Sequence, residues 1–489
     1  MHRRTDAARR RHARWRTITR HWRLSSATRV MQYVSTRAQA PEAGFCDVLL
    51  RGLAPDGGLY VPKEWPQTQL PIPSNYAEAA AAIMQPFIGD EISADVLLAL
   101  CRDAYSIFRN EEVTPIIQLS AEHHLLELFH GPTLAFKDIA LQLVGKLFDH
   151  VLERRDERIL LIGATSGDTG SAAIEAVKNC KNIDIVILYP NNRTTEFQRR
   201  QMTTVDAQNV HTIAIDGNFD DCQDFVKAMF NDPQFRNTHK LSAVNSINWA
   251  RIMAQTVYYF TATQALNRHP SAGQVSFSVP TGNFGNVLAG WIARKMGAPI
   301  RHLIVGSNSN DVLTRFFDNR VMTMSRVVRT LSPSMDIQVP SNFERLLFEM
   351  NDRDGIVTAE QLQRFRRAGT MSVEGDQFDE WITPVFRGHH CDDEATIATM
   401  SRIYDDTGIL IDPHTAIAVA SAESWSESGV PTVTLATAHP AKFTDAVFRA
   451  TGIRPTLPDH LLDIYDRPER VNKLPKDLAL VQEFVASCH

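Results

Sequence analysis

Six short apolar runs in this chain each end in a glycine-rich or polar turn, and a helical pattern follows each turn. Ile159-Leu160-Leu161-Ile162 leads into GATSGDTGSAAIEAV, and Ile185-Val186-Ile187-Leu188-Tyr189 leads into PNNRTTEFQRRQM. Val210-His211-Thr212-Ile213-Ala214-Ile215 precedes DGNFDDCQDFVKAMF, and Val275-Ser276-Phe277-Ser278-Val279 precedes PTGNFGNVLAGWIARKMG. Leu303-Ile304-Val305 runs into GSNSNDVLTRFF, and Val433-Thr434-Leu435-Ala436 into TAHPAKFTDAVFRATG. Strands that alternate with helices form parallel sheets covered on both faces, and such strands read as continuous apolar runs. No fixed repeat period is present, which excludes a solenoid. The expected fold class is therefore α/β with more than one parallel sheet, preceded from about residue 46 to 120 by a mostly helical stretch.

A chain of 489 residues is long enough for roughly three domains. The expected division is an N-terminal domain over 31–120, a smaller α/β domain over 121–240 and a larger one over 241–489. The first thirty residues form a separate, Arg-rich extension. They carry ten arginines against Asp6 alone, a charge of +9, so with −5 overall the remainder carries −14. Such a start has the composition of an organellar transit peptide. The abrupt change at Met31 favours instead a start upstream of the true initiator, and a cytoplasmic protein is expected.

A body this acidic makes a poor nucleic-acid binder, because phosphate contacts need clustered cations. No apolar run approaches the roughly 20 residues that cross a bilayer. The six cysteines, at 46, 101, 180, 222, 391 and 488, contain no CxxC pair, which fits a reducing compartment. His389-His390-Cys391-Asp392-Asp393 has metal-binding residue types but no spaced partner motif. A polar surface loop is expected there, and no metal. Arg199-Arg200 is expected on a solvated helix face, with the bordering of an anionic site as the alternative.

In parallel sheets ligands bind outside the carboxyl ends of the strands, and three turns there have suitable chemistry. Ala164-Thr165-Ser166-Gly167-Asp168-Thr169-Gly170 opens a helix, so hydroxyls and free N–H groups converge where the helix dipole favours an anion. It lacks the spacing of a Walker loop or a dinucleotide fingerprint, and a tight capped turn explains it equally well. In Pro280-Thr281-Gly282-Asn283-Phe284-Gly285-Asn286 the two glycines let the backbone approach a ligand, and successive N–H groups suit a phosphate. Asn245-Ser246-Ile247-Asn248-Trp249-Ala250-Arg251 places amides before a helix and an arginine one turn along. That guanidinium offers a dianion a bidentate fork, although a solvated helix arginine is the plainer reading.

Lys137 interrupts the apolar stretch Leu134, Ala135, Phe136, Ile139, Ala140, Leu141 and Leu143, with Gly131-Pro132 before it and a helical pattern after it. Desolvation and a helix N-terminus both disfavour an ammonium there. A neutral amine condenses with aldehydes. A lysine that snorkels from a helix edge is the commoner fate, but here it would coexist with two anion-binding turns. An aldehyde cofactor that carries a phosphate, pyridoxal 5′-phosphate (PLP), would use all three features together.

HGPTLAFKD, TSGDTG, NSIN with its downstream arginine, PTGNFGN and ATAHPAKF resemble, in order and spacing, the threonine synthases of the bacterial and fungal type. These belong to the PLP fold group of tryptophan synthase β chains. The resemblance covers nearly all of the chain after Met31. It implies two parallel-sheet α/β domains, the smaller with Lys137 and the TSGDTG loop and the larger binding PLP. It implies conversion of O-phospho-L-homoserine and water to L-threonine and phosphate by a lyase that is a monomer or homodimer. By the same resemblance Lys137 forms the Schiff base and shuttles protons, next to Phe136 and Asp168 in the cofactor site. Gly282, Asn283, Phe284, Gly285 and Asn286 hold the cofactor phosphate, and Thr437 faces the pyridine nitrogen. Thr165, Ser166 and Gly167 take the substrate carboxylate. Thr169, Asn245, Ser246 and Arg251 take the substrate phosphate. Departures are small: Ala436 stands where some relatives have glycine, and Arg37-Ala38-Gln39-Ala40-Pro41 is less glycine-rich than usual. The alternatives are a phospholyase or dehydratase of the same fold, and a non-catalytic anion-binding protein.

Overall fold

The computed structural model describes residues 31–165, 167–243, 246–266 and 273–488. The Arg-rich extension over 1–30, Ser166 and Asn245 lie outside them. Strands β1 (Tyr33–Ser35) and β2 (Tyr60–Pro62) pair antiparallel, and the helices Phe45–Arg51, Tyr76–Ile88 and Ala94–Tyr105 complete the N-terminal part. The remaining main strands are β3 (Ile116–Gln118), β4 (His123–Glu127), β5 (Ile159–Ala164), β6 (Ile183–Pro190), β7 (Val210–Ile215), β8 (Leu241–Ser242), β9 (Val275–Pro280) and β10 (Ile300–Ser307). A small antiparallel pair, β11 (Val321–Thr323) with β12 (Thr370–Ser372), precedes β13 (Phe386–His390), β14 (Thr432–Ala436) and β15 (Asn472–Leu474).

These strands build two principal sheets. One has the order β15-β7-β6-β5-β8 and is parallel throughout. The other has the order β13-β10-β9-β14-β4-β3 and is parallel except at its β3 edge, where β3 runs antiparallel to β4. All six apolar runs are strands. β6, β9 and β14 are buried along their whole length, as helices on both faces require.

Sheet membership differs from the expected boundaries at four places, the first being β3, which falls within 31–120 by number yet lies at the edge of the six-stranded sheet. β4 falls within 121–240 by number yet lies in the six-stranded sheet, between β14 and β3. β8 lies past residue 240 yet pairs with β5. The C-terminal β15 returns to the five-stranded sheet and pairs with β7. The chain therefore passes between the sheets three times, after β4, after β8 and after β14.

The helix Lys137–Arg155 follows the first of these crossings. Asp138 in its first turn and Arg154 and Arg155 in its last complement the helix dipole. It ends at Asp156, in the left-handed region at φ 53°, whose N–H returns to the Leu152 and Glu153 carbonyls. Gly145 permits close packing on the next helix, since a Cβ there would stand 2.3 Å from the Ala176 carbonyl oxygen.

The helix Trp249–Leu266 is held by the N-terminal part. Tyr33 and Phe87 meet the Trp249 ring edge-on with centroids 5.7 and 5.5 Å away, an arrangement favoured by the ring quadrupoles. The sequence expected a polar surface loop at 389–393. Instead His389 and His390 continue β13 on the sheet edge, Cys391 is buried, and Asp392 caps the helix Asp393–Thr407 through the Ala395 N–H. Among the described residues no three potential ligands gather around a metal position, and no helix is long and apolar enough to cross a membrane.

Candidate active site

Four connections leave the carboxyl ends of parallel strands and meet between the two sheets. They are the segment 128–136 after β4, Thr165 and Gly167 after β5, the turn 281–284 after β9 and Thr437 after β14. The Phe136 N–H donates to the Thr437 carbonyl at 2.9 Å, and Ala135 and Ala438 form an antiparallel bridge. This couples the entry of the Lys137 helix to the end of β14.

Lys137 is the first helical residue and is largely enclosed, its side chain 11% exposed, with Nζ 3.3 Å from Asp168 Oδ2 and 5.0 Å from the Phe136 ring centroid. Burial lowers its pKa, the Asp168 carboxylate opposes this, and Lys442 and Arg251 lower it further; the net direction is down. The helix Asp168–Val177 begins directly at Asp168, so Asp168 and Thr169 occupy its first turn. Asp168 Oδ1 accepts from Gln198 Nε2 at 3.0 Å and lies 3.1 Å from Lys442 Nζ. Oδ2 faces Lys137 and accepts from Ser334 Oγ at 3.3 Å. Burial alone would raise the Asp168 pKa, but Lys442, Lys137 and the Gln198 amide together hold it well below the usual carboxylate value.

The Asp168 turn is shaped by two residues. Gly167 has φ 147°, and a Cβ there would stand 2.6 Å from the Gln198 amide carbon; both features select glycine. Thr165 Oγ1 accepts the Gly167 and Gly170 N–H groups at 3.0 and 2.9 Å. Its oxygen therefore caps the turn, which leaves the hydroxyl hydrogen to donate to an anion.

The turn after β9 opens the helix Gly285–Lys295. Phe284 is left-handed at φ 62° and buried, and the first-turn N–H groups have no acceptor within the helix. Gly282 faces the segment Pro333–Met335, where an added Cβ would stand 2.8 Å from the Ser334 carbonyl oxygen. Asn286 Oδ1 accepts from the Tyr258 and Tyr259 hydroxyls at 2.5 and 3.0 Å. That fixes the amide and leaves buried Nδ2 without a partner among the described residues. A buried donor in this state has lost its water without compensation.

Asn342 joins this turn to the one that precedes Trp249. Its Nδ2 donates to the Asn283 and Ser246 carbonyls at 3.1 and 3.2 Å. The Arg345 guanidinium, itself buried, donates to the Ile247 carbonyl at 2.6 Å and to the Tyr60 carbonyl at 2.9 Å. Arg251, on the helix Trp249–Leu266, is buried, and burial brings its pKa down to about 10. It is still a cation at neutral pH.

Direct contacts join Phe136 to Thr437 and Lys137 to Asp168, Ser334 lies between Asp168 and Gly282, and Asn342 bridges Asn283 and Ser246. Arg251 acts electrostatically on Lys137. Among the described residues Thr169 makes no side-chain hydrogen bond that ties it to the others. Arg199 and Arg200 bind the C-terminal segment: Arg199 pairs with Glu469, and Arg200 Nη1 reaches the Ile464 and Arg467 carbonyls. Sequence reasoning missed Gln198, Ser334, Asn342, Arg345 and Lys442. Only Lys442 carried a local signal, an ammonium group set between Ala441 and Phe443.

These residues fit PLP. A buried amine whose charge is disfavoured suits an aldehyde. A glycine that no side chain could replace, with the orphaned Asn286 amide donor at a helix N-terminus, suits a phosphate.

Comparison with known proteins agrees. Residues 32–105 match the family model described as threonine synthase N terminus, and residues 415–485 match threonine synthase, C-terminal. Residues 107–372 match the model of pyridoxal-phosphate dependent enzymes. The threonine synthase of Pseudomonas aeruginosa is 50% identical over 463 residues, with 93% of this chain and 98% of that protein covered. The crystal structure of PLP-bound threonine synthase from Brucella melitensis superimposes with a TM-score of 0.90 at 48% identity, covering 94% of this chain and 99% of that one. The yeast enzyme gives a TM-score of 0.88 at 37% identity, covering 94% and 98%.

Proposed function

This chain belongs to the threonine synthase family, and from that premise we propose how its residues divide the conversion of O-phospho-L-homoserine and water into L-threonine and phosphate. The cofactor is PLP; when bound, it supplies an aldehyde that links to amines and a ring that spreads negative charge. Lys137 Nζ is its covalent attachment point. The same nitrogen, when not engaged by the cofactor, would take and return substrate protons. The observation that carries this is the position of Lys137, a largely enclosed amine with a lowered pKa, 3.3 Å from Asp168 Oδ2 at the entry of its helix. A base must be neutral to accept a proton, and burial at a helix N-terminus favours that form.

The other roles follow from chemistry and place. Residues 282–286 hold the cofactor phosphate, with the Asn286 amide among its donors. Phe136 and Asp168 would help hold the cofactor, and the Thr437 hydroxyl would serve as the partner of its ring nitrogen. A hydroxyl protonates that nitrogen less firmly than a carboxylate would, which moderates charge withdrawal and limits side reactions. Thr165, Ser166 and Gly167 bind the substrate carboxylate. Arg251, with Ser246, Asn245 and Thr169, binds the substrate phosphate and so orients its departure. The −14 charge of the body and six free thiols support a cytoplasmic enzyme that acts on a small molecule without nucleic acid, and we propose a monomer or homodimer on the family resemblance alone. Sedimentation of the purified holoenzyme decides between those two states.

The test is turnover of phosphohomoserine with separate detection of phosphate, threonine and 2-oxobutyrate. The wild type is expected to release phosphate and threonine in equal amounts. Lys137→Ala is expected to lose the visible absorbance of lysine-bound cofactor and at least 10³-fold in kcat, the scale of losing a nucleophile and base together. Turnover by that variant at a wild-type rate would remove Lys137 from its role. Release of 2-oxobutyrate in place of threonine would make the chain a phospholyase.

A further inference from the structure

Lys442 lies in the 3₁₀ turn Pro440–Phe443 with its side chain wholly enclosed, 0% exposed. Its Nζ donates to the Thr133 carbonyl at 2.7 Å and to Gln201 Oε1 at 2.9 Å, and it stands 3.1 Å from Asp168 Oδ1. The Gln201 amide is oriented by its Nε2, which also donates to the Thr133 carbonyl, at 3.1 Å. All three neighbours of Nζ are oxygens that only accept, so the nitrogen must bring three hydrogens, and it does so as an ammonium ion. A buried ammonium needs a paired anion. The nearby carboxyl of Asp138 is a poor candidate: it is spent on the Thr133 N–H and Oγ1, and burial pushes its pKa up to about 7. Asp168 is left as the counter-ion.

This pairing divides the Asp168 carboxylate between two jobs. Oδ1 is occupied by Lys442 and by Gln198 Nε2. Oδ2 is turned to Lys137 Nζ and Ser334 Oγ. Were Lys137 the only cation on Asp168, every neutralisation of the Lys137 amine would leave a buried carboxylate uncompensated, and Asp168 would tend to take up a proton. Lys442 has no such change of charge to make.

We propose that Lys442 is a positioning residue for threonine synthesis: it keeps Asp168 a permanent, oriented anion, so that Oδ2 remains a fixed acceptor beside Lys137 while that amine gains and loses its proton. The role rests on the reading of Lys137 as the base. The other charged groups that act on the pair come from neighbouring helices, His414 on Asp168 and Arg251 on Lys137. Both are left in place in the variants below.

The experiment is the pH profile of kcat for the holoenzyme, with the pH titration of its visible absorbance recorded in parallel. Removing the ammonium raises the Asp168 pKa and also raises that of Lys137, so both effects shift the acid limb to higher pH. Lys442→Met is expected to move that limb up by at least one pH unit and the absorbance midpoint in the same direction, with KM for phosphohomoserine within threefold. A kcat scaled down on an unmoved profile would mark Lys442 as structural only and overturn the proposal. Gln201→Glu, which gives Lys442 a second carboxylate, keeps the test available if the first variant does not fold. It is expected to shift the limb in the same direction by a smaller amount, and no shift would again overturn it. An unmoved profile beside an inactive Lys137→Ala removes the role of Lys442 alone. A fully active Lys137→Ala removes the base assignment and this role with it.

Discussion

Lys137 and Lys442 share a local signature, an ammonium next to a phenylalanine in apolar sequence, and the structure gives them opposite tasks. Lys442 has three oxygens within 3.1 Å and is locked. Lys137 has Asp168 Oδ2 at 3.3 Å and the face of Phe136, so its amine is loosely held and free to react. The difference lies in three close oxygens around a fully enclosed ammonium as against one longer contact on a side chain that keeps 11% exposure, and sequence composition does not encode it. Arg251 is a third buried cation, lowered to about 10 by burial, and a phosphate dianion in its reach would gain a charge-assisted, bidentate contact. Arg251→Ala is therefore expected to weaken phosphohomoserine about 100-fold while changing unphosphorylated amino acids less than threefold, in line with the loss of one buried charge pair. Spectral titration of the holoenzyme with homoserine and with phosphohomoserine checks this. Equal losses for both would take Arg251 out of the phosphate site.

At the scale of elements, the turn 281–284 works because another segment closes over it. A Cβ on Gly282 would stand 2.8 Å from the Ser334 carbonyl oxygen and 3.2 Å from Met335 Cα. These are backbone atoms, which cannot swing aside as a flexible side chain would. Gly282→Ala is expected to displace the segment Pro333–Met335, pull Ser334 from Asp168 and weaken PLP at least tenfold with helix content unchanged. Titration of the apoprotein with PLP, beside circular dichroism, measures both. Wild-type affinity would mean that the segment yields without cost. None of the covering residues was legible in the sequence. Ser334, Asn342 and Arg345 come from a stretch without a ligand-binding motif, and only the fold returns them to the site. The six parallel strands were legible because burial on both faces leaves continuous apolar runs. β4, written HHLLE, and β13, written FRGHH, were not, since their polar residues find partners across the sheet. His123 Nε2 on β4 bonds Thr434 Oγ1 on β14 at 2.7 Å, and Arg387 Nη2 on β13 lies 3.0 Å from His302 Nε2 on β10.

For the molecule as a whole, the expected division at 120 and 240 followed chain order, whereas pairing follows sheet edges, and a short edge strand carries too little pattern to reveal its partner. β15, only Asn472–Leu474, is such a strand. After β14 the chain recrosses to the five-stranded sheet and is pinned on the way: Glu469 pairs with Arg199, and the Arg470 N–H donates to the Thr203 carbonyl at 2.7 Å. β15 then covers the β7 edge. The helix Leu478–Ser487 sets Val481 and Val485 into the cluster of Leu160, Ile162, Ile213, Ile215, Cys222 and Met229. Each fully buried valine contributes about 1.5–3 kcal/mol, and removal would also expose an unpaired strand edge. A chain ended after Arg470 is therefore expected to lose several kcal/mol from the five-stranded sheet while the six-stranded sheet, which takes no strand from beyond Ala436, keeps its pairing. Limited proteolysis along a urea series reads this directly. Cleavage within 160–242 should appear at lower urea than in the full chain, with the fragment carrying β9 to β14 persisting. Simultaneous loss of both parts at the full-length midpoint would show that the C-terminal strap adds nothing to the smaller sheet.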